Sequence, residues 1–267
     1  MDDVDELTLE IGGVRTAILT RHPDIARVVA HRYRGFLCSG EPDWRIEADV
    51  RPEGVVALPD VAVASDGHPR RLRIERHDFL ATLDLDGHTG TLQLGAIDRI
   101  AIDTFLRVAY SLLLLPVGAL LVHAASVGRD GRAWLFPGPS GSGKTTLTRL
   151  SADAALLSDE ISIVRVDADG VRCYGSPFFG DLGRPGDNRA LPLAAVHFLR
   201  HADRHAASPL PPRRGLTALL PNVLFFAREG ALVARVLEVA TALTAAVPSF
   251  ALGFRPEPSV WEVIAAA

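Results

Sequence analysis

The chain has little of several things, and each scarcity excludes something. Only two cysteines occur in its 267 residues, Cys38 and Cys173, far apart and without metal-ligand spacing. That argues against a disulfide scaffold and a cysteine-built metal centre, and predicts reduced core thiols in a cytosolic protein. Charge of one sign is not in excess either: the formal net charge is −4 and no long acidic or basic run occurs. A surface that tracks phosphates along nucleic acid shows as a basic excess, so nucleic acid is not expected as the main partner. No apolar stretch reaches the roughly 20 residues of a membrane span. The closest approach, residues 108–122, is interrupted by Pro116 and Gly118 and reads as a buried helix followed by a buried strand. The opening residues, Met1-Asp2-Asp3-Val4-Asp5-Glu6, are acidic where a secretion signal is basic. Together these features predict a cytoplasmic protein with no membrane partner.

What is present is ordinary for a soluble globular chain: 22% charged residues and 48% from the set AVILMFWYC. The length suits one large domain or two modest ones. Residues 1–97 read as a β-rich region. Runs at 7–11 and 14–19 flank Gly12-Gly13, a hairpin signal, and a short helix follows at 25–33. Further strands are expected at 44–50, 61–64, 71–76, 79–85 and 91–94, with Asp66-Gly67 and Asp86-Gly87 as tight turns. The alternation over 79–85 suits a half-exposed antiparallel sheet. Residues 98–267 read as α/β. A helix over 98–115 places Ile102, Phe105, Leu106, Ala109, Leu112 and Leu113 on one face, and Pro116-Val117-Gly118 stops it. Strands at 119–127 and 132–136 turn at Arg129-Asp130-Gly131. Beyond them come a helix at 144–152, a strand at 154–157, a hairpin of 161–166 with 171–174, and a Gly- and Pro-rich mobile loop over 175–188. A strand at 193–199, a polar linker with Pro209, Pro211 and Pro212, a helix at 229–246, a strand at 250–254 and a short helix from Pro258 complete the chain. The β-rich region is expected to extend the sheet of the α/β region.

The strongest motif follows the 132–136 strand. Gly138-Pro139-Ser140-Gly141-Ser142-Gly143-Lys144-Thr145 meets the pattern G-x-x-x-x-G-K-[ST]. Its glycines allow successive backbone N–H groups to turn inward around phosphate oxygens, at the start of a helix. In that role Lys144 reaches the β- and γ-phosphates, the Thr145 hydroxyl ligates magnesium and Thr146 touches the α-phosphate. The motif has the strand before it and the helix after it that such a loop requires, so ATP with Mg2+ is the expected ligand.

Three further groups bear on chemistry. Leu156-Leu157-Ser158-Asp159-Glu160 is an apolar strand ending in two acids, the position of a second magnesium-binding group after a phosphate loop. Two readings stay open: either carboxylate binds metal, directly or through water, and one accepts a hydroxyl proton, or the two acids are a solvated strand end leading into a turn. His123, in Leu121-Val122-His123-Ala124-Ala125-Ser126, leaves two readings open: a satisfied core histidine, or an imidazole near the γ-phosphate that moves protons. The 175–188 loop carries Asp181, Arg184, Asp187 and Asn188, with Arg189 just beyond. It reads either as a lid whose arginine neutralises transferring phosphate or as a surface excursion.

His123-Ala124-Ala125-Ser126-Val127, the loop from Pro137 to Thr145, and Leu157-Ser158-Asp159-Glu160, in this close order, resemble the HPr kinase/phosphorylase-like family. That family shares its nucleotide-binding fold with phosphoenolpyruvate carboxykinase. The resemblance covers about residues 120–199. It implies a phosphate-loop kinase domain with a mixed sheet at 98–267, preceded by the β-rich region. It also implies a kinase acting on serine of a peptide or protein, with Asp159 as catalytic base, Glu160 beside the metal, and His123 as an active-site histidine. The acids are Asp-Glu where HPr kinases have two aspartates, and the segment after Val166 lacks their arginine- and glycine-rich phosphorylase signature. The chain therefore looks closer to divergent members that phosphorylate ribosomally made peptides. A small-molecule hydroxyl acceptor and a non-catalytic nucleotide-dependent sensor or escort remain the alternatives. Relatives of HPr kinase form oligomers, so the resemblance admits a homo-oligomer.

Overall fold

The computed structural model describes residues 4–52, 60–68, 70–151 and 153–267. The protein is α/β, with two mixed sheets and few helices, and divides into two compact units. The first comprises 1–113 with 225–234, and the second 114–224 with 235–267. The boundary expected at 97/98 therefore falls after Leu113. The reason is packing: the helix that begins at Arg99 sets Phe105 edge-on against Phe79 of the first sheet, at 6.0 Å between ring centres.

The first unit is a seven-stranded sheet built from β1 (Asp5–Ile11), β2 (Val14–Thr20), β3 (Trp44–Val50), β4 (Ala62–His68), β5 (Arg71–Arg76), β6 (Phe79–Asp84) and β7 (Thr89–Leu94). Their order is β1-β2-β3-β7-β6-β5-β4. The pairing is parallel where β2 meets β3 and β3 meets β7, and antiparallel elsewhere. Period-two patterning sets the faces: Trp44, Ile46 and Ala48 are buried while Arg45 and Glu47 are exposed. Helices α1 (Pro23–Arg32) and α2 (Arg99–Leu113) belong to this unit, and all six residues of the expected α2 face are buried. At their junction Arg32 and Tyr33 both bond Asp103. Two expectations change here. Asp86-Gly87 does turn β6 into β7, but Asp66-Gly67 lies inside β4, where the β4–β5 register shifts between Ser65 and His68. The β-rich region also forms its own sheet and does not extend the second one.

The second unit holds β8 (Ala119–Arg129), β9 (Arg132–Pro137), α3 (Lys144–Arg149), β10 (Ala155–Ser158), β11 (Ile161–Asp167), β12 (Gly170–Tyr174), β13 (Ala190–His201), β14 (Ala206–Leu210), α4 (Pro212–Leu219), β15 (Ser249–Phe254) and α6 (Val260–Ala266). Helix α5 (Gly230–Ala246) begins in residues of the first unit and continues in the second. Asp130 and Gly131, both with positive φ (49° and 74°), make the two-residue turn that folds β8 onto β9. Strand β8 then changes partners along its length: its first half pairs with β11, its second with β9 and β10. Strand β13 does likewise, pairing first with β12 and then, in parallel, with β9 and β15. The pairings β9–β8–β11–β12–β13–β9 thus close on themselves. Phe136, Leu147, Leu252, Phe254, Trp261 and Ile264 form one buried cluster behind the β9–α3 junction.

The polar linker expected after β13 is instead β14 and α4. Its prolines are compatible with both: Pro209 lies on the edge strand of the sheet, and Pro212 occupies the first turn of the helix, where no intrahelical N–H donor is needed. Residues 108–122 split into the end of α2 and the start of β8, and no helix among the described residues is long and apolar enough to cross a membrane. Cys173 is buried and Cys38 partly exposed.

Candidate active site

The site follows from the β8–β9 hairpin. With Arg129 opposite Arg132 and Ala124 opposite Pro137, the next step of the ladder brings the Gly138 N–H to the His123 carbonyl, at 3.4 Å. On the other side of β8, His123 faces Ile161 of β11. The pairing along β8 is interrupted between β10 and β11 at Asp159-Glu160, where the Glu160 carbonyl accepts the Ala124 N–H at 3.0 Å. Histidine, loop and acidic pair are therefore consecutive members of one cross-strand layer.

They surround a cavity of about 330 Å³. Ser140, Gly141, Gly143, Lys144, Thr145 and Thr146 line one side of it, and His123, Asp159 and Glu160 another, with Gly180, Asp181 and His201 completing the wall. His123 is half-buried and borders the cavity, so it is not enclosed in the core. Gly138 and Ser142 do not line the cavity. They pack against each other beneath the loop, and the Ser142 hydroxyl is buried without a hydrogen-bond partner.

Lys144 lies across its own loop, its Nζ donating to the carbonyls of Gly138 at 2.7 Å and Pro139 at 3.0 Å. Burial lowers the affinity of its amine for a proton, and the charges of Glu160 and Asp181 oppose that shift. Burial, aided by the positive charge of Lys144, likewise lowers the pKa of His123 and favours the neutral imidazole. Helix α3 ends at Arg149, short of the expected residue 152. The Thr148 and Ser151 hydroxyls bond back to the carbonyls of Lys144 and Leu147, a habit that weakens helix continuation. Residue 152 itself lies outside the described residues.

The segment 175–188, expected to be mobile, has no regular secondary structure but is fastened along β10. Ser176 and Asp187 donate backbone N–H bonds to the carbonyls of Leu157 (2.9 Å) and Leu156 (2.8 Å), and Phe178 is fully buried. Its tip is tied by Asp159, a carboxylate only 3% exposed: Oδ1 accepts the Gly180 N–H at 3.0 Å and Oδ2 the Leu182 N–H at 2.8 Å. This brings Gly180 and Asp181 to the cavity wall. Arg184 and Arg189 are not brought there. Arg184 borders a neighbouring cavity behind α3, and Arg189 points to Asp187 at 3.7 Å, so neither contacts the space in front of Lys144. The loop's Gly183 follows a tight turn (Gly183 N–H to Gly180 carbonyl, 3.1 Å) that carries the chain past the cavity before Arg184.

His201 is a site residue that the sequence reading missed. It ends β13, two residues beyond the strand expected at 193–199. The parallel pairing of β13 with β9 carries it to the phosphate-loop side, where its Nε2 lies 2.9 Å from the Gly141 carbonyl and its ring stacks on Phe254. The donor set fits a magnesium nucleotide: an amine, two threonine hydroxyls and loop N–H groups on one side, carboxylates on the other, at a cavity lined mainly by polar groups. Among the described residues, no cluster of three or more His, Cys, Asp or Glu forms a self-contained metal site, so any cation here would share its coordination with Thr145 or with a ligand. Comparison with family models and with curated proteins finds no match to this chain.

Proposed function

We propose that this chain is an ATP- and magnesium-dependent kinase that transfers the γ-phosphoryl group to a hydroxyl, most favourably a serine of a peptide or protein. In this reading it is a divergent phosphate-loop enzyme of the HPr kinase/phosphorylase-like type, with the fold that type shares with phosphoenolpyruvate carboxykinase. One observation carries the reading. Lys144 and Thr145, His123, and the Asp159-Glu160 pair, from three separate chain segments, border a single cavity of about 330 Å³. A structural salt-bridge network would not need the glycine loop between them.

In the proposed reaction Lys144 leaves the Gly138 and Pro139 carbonyls to meet the β- and γ-phosphates. Thr145 and Glu160 hold magnesium, which supplies neutralisation of phosphate charge when bound. Asp159 keeps its two loop N–H bonds, which fix its orientation, and accepts the acceptor's hydroxyl proton on a remaining lone pair. The hydroxyl oxygen bonds to the γ-phosphorus as the bond to the bridging oxygen breaks and ADP leaves. His123, neutral by virtue of its surroundings, is the nearby group able to relay that proton. Positioning and electrostatics supply most of the catalysis.

One observation favours a second reading, a nucleotide-dependent sensor or escort: Asp159 is engaged with the 180–182 tip through both of its oxygens, a geometry that links the site to a loop. Incubation with γ-labelled ATP, magnesium and serine peptides or small alcohols separates the two. Label on an acceptor supports the kinase, and nucleotide binding without transfer to any acceptor supports the sensor.

A further inference from the structure

We infer that the cavity behind α3 is a second anion-binding site, distinct from the loop at Gly138–Thr145, for a phosphate monoester carried on a compact apolar body. The cavity measures about 310 Å³, and Arg149 of α3 and Arg184 of the 175–188 segment both border it. Neither guanidinium has an ion pair or side-chain hydrogen bond among the described residues. The nearby Arg129 behaves differently: it pairs with Asp153 at 3.2 Å and lies over the Trp261 ring at 5.1 Å.

Among the described residues no carboxylate lines the cavity, so the two arginines that border it have no lining acid beside them. Its hydroxyls do not change this. Thr148 donates to the Lys144 carbonyl, and Ser151 donates to the Leu147 carbonyl while accepting from Trp261 Nε1, so their hydrogens are already committed. The guanidinia are therefore the available donors, and their forked geometry suits the oxygens of a dianion. The rest of the lining, Val127, Leu156 and Leu182 among it, is apolar and suits a hydrophobic substituent on the ester.

The test is calorimetric titration of the full chain with phenyl phosphate and, separately, inorganic phosphate. It is done in a Lys144→Ala background, so that the glycine loop contributes little. The expected result is one saturable site, with phenyl phosphate bound more tightly than inorganic phosphate. Arg149→Gln and Arg184→Gln should each weaken it by about tenfold or more, as loss of a charge-assisted hydrogen bond does. Both arginines are exposed, and circular dichroism verifies that the variants fold. Unchanged affinity in the Arg149→Gln/Arg184→Gln double variant, or no binding in the Lys144→Ala background, overturns the inference. Neither outcome depends on whether the first cavity takes ATP.

Discussion

Asp159 and Leu182 are joined by a backbone-to-carboxylate hydrogen bond of 2.8 Å, and the same carboxylate holds Gly180 at 3.0 Å. A buried carboxylate with both oxygens engaged by N–H donors is a fastener as well as a candidate base. Asp159→Asn turns one acceptor into an NH2 donor aimed at an N–H group. It should cost about 1–3 kcal/mol in chemical denaturation. Hydrogen exchange at the Gly180 and Leu182 amides should accelerate, while amides of the first sheet keep their protection. Unchanged exchange at those two positions would refute the fastening role.

Gly143 and Gly141 both have positive φ, at 101° and 80°, yet they differ in surroundings. A Cβ on Gly143 would stand 2.6 Å from the Phe254 ring, whereas one on Gly141 meets open space. Gly143→Ala should therefore be the more damaging change, adding a steric clash to backbone strain of about 1–3 kcal/mol. Gly141→Ala should show the strain alone. Thermal denaturation of the two variants checks the order.

His197 lies fully buried between Phe136 and Phe250, with neither ring nitrogen hydrogen-bonded, and burial lowers its pKa to about 4 from an ordinary value near 6.5. Between those values the unfolded chain binds the proton and the folded chain does not. This residue's contribution to stability is therefore complete above about pH 6.5 and declines by about 3 kcal/mol as the pH falls towards 4. His197→Leu removes both the unpaired nitrogens and the titration. It should be more stable than the parent by about 1 kcal/mol at pH 7, with a larger margin at pH 4. Urea denaturation across that range measures the slope, and equal slopes for the two proteins would contradict the assignment.

Much of the site was legible in the chain because hairpin register is arithmetic. Once Asp130-Gly131 is the turn, Arg129 faces Arg132 and His123 must fall beside Gly138. The interrupted strand at Asp159-Glu160 then returns along the other edge of β8. What the local pattern could not reveal depends on distant pairing. His201 reaches Gly141 only because β13 runs parallel to β9, and Arg184 misses the cavity because Asp159 ties the chain at Leu182 two residues earlier. The separate first sheet was also invisible, since alternation in β3 or β6 specifies a buried face and not which strands share it. Pro209 and Pro212 concealed β14 and α4, being tolerated at an edge and in a first turn where they resemble linker residues.

Lys144 is the side chain on which the nucleotide reading depends most. Lys144→Ala should weaken magnesium–ATP binding by about tenfold or more, since it deletes a charged donor to phosphate. Fluorescence of a labelled ATP analogue measures it, with Arg189→Ala, outside the cavity, expected to bind as the parent does.

The most direct measurement is transfer of label from γ-labelled ATP, in magnesium, to a panel of serine-containing peptides and small alcohols. The account predicts label in a phosphate ester on an acceptor hydroxyl, reduced about a hundredfold or more in Lys144→Ala. Lys144-dependent ATP binding with label never leaving the nucleotide for any acceptor would contradict it.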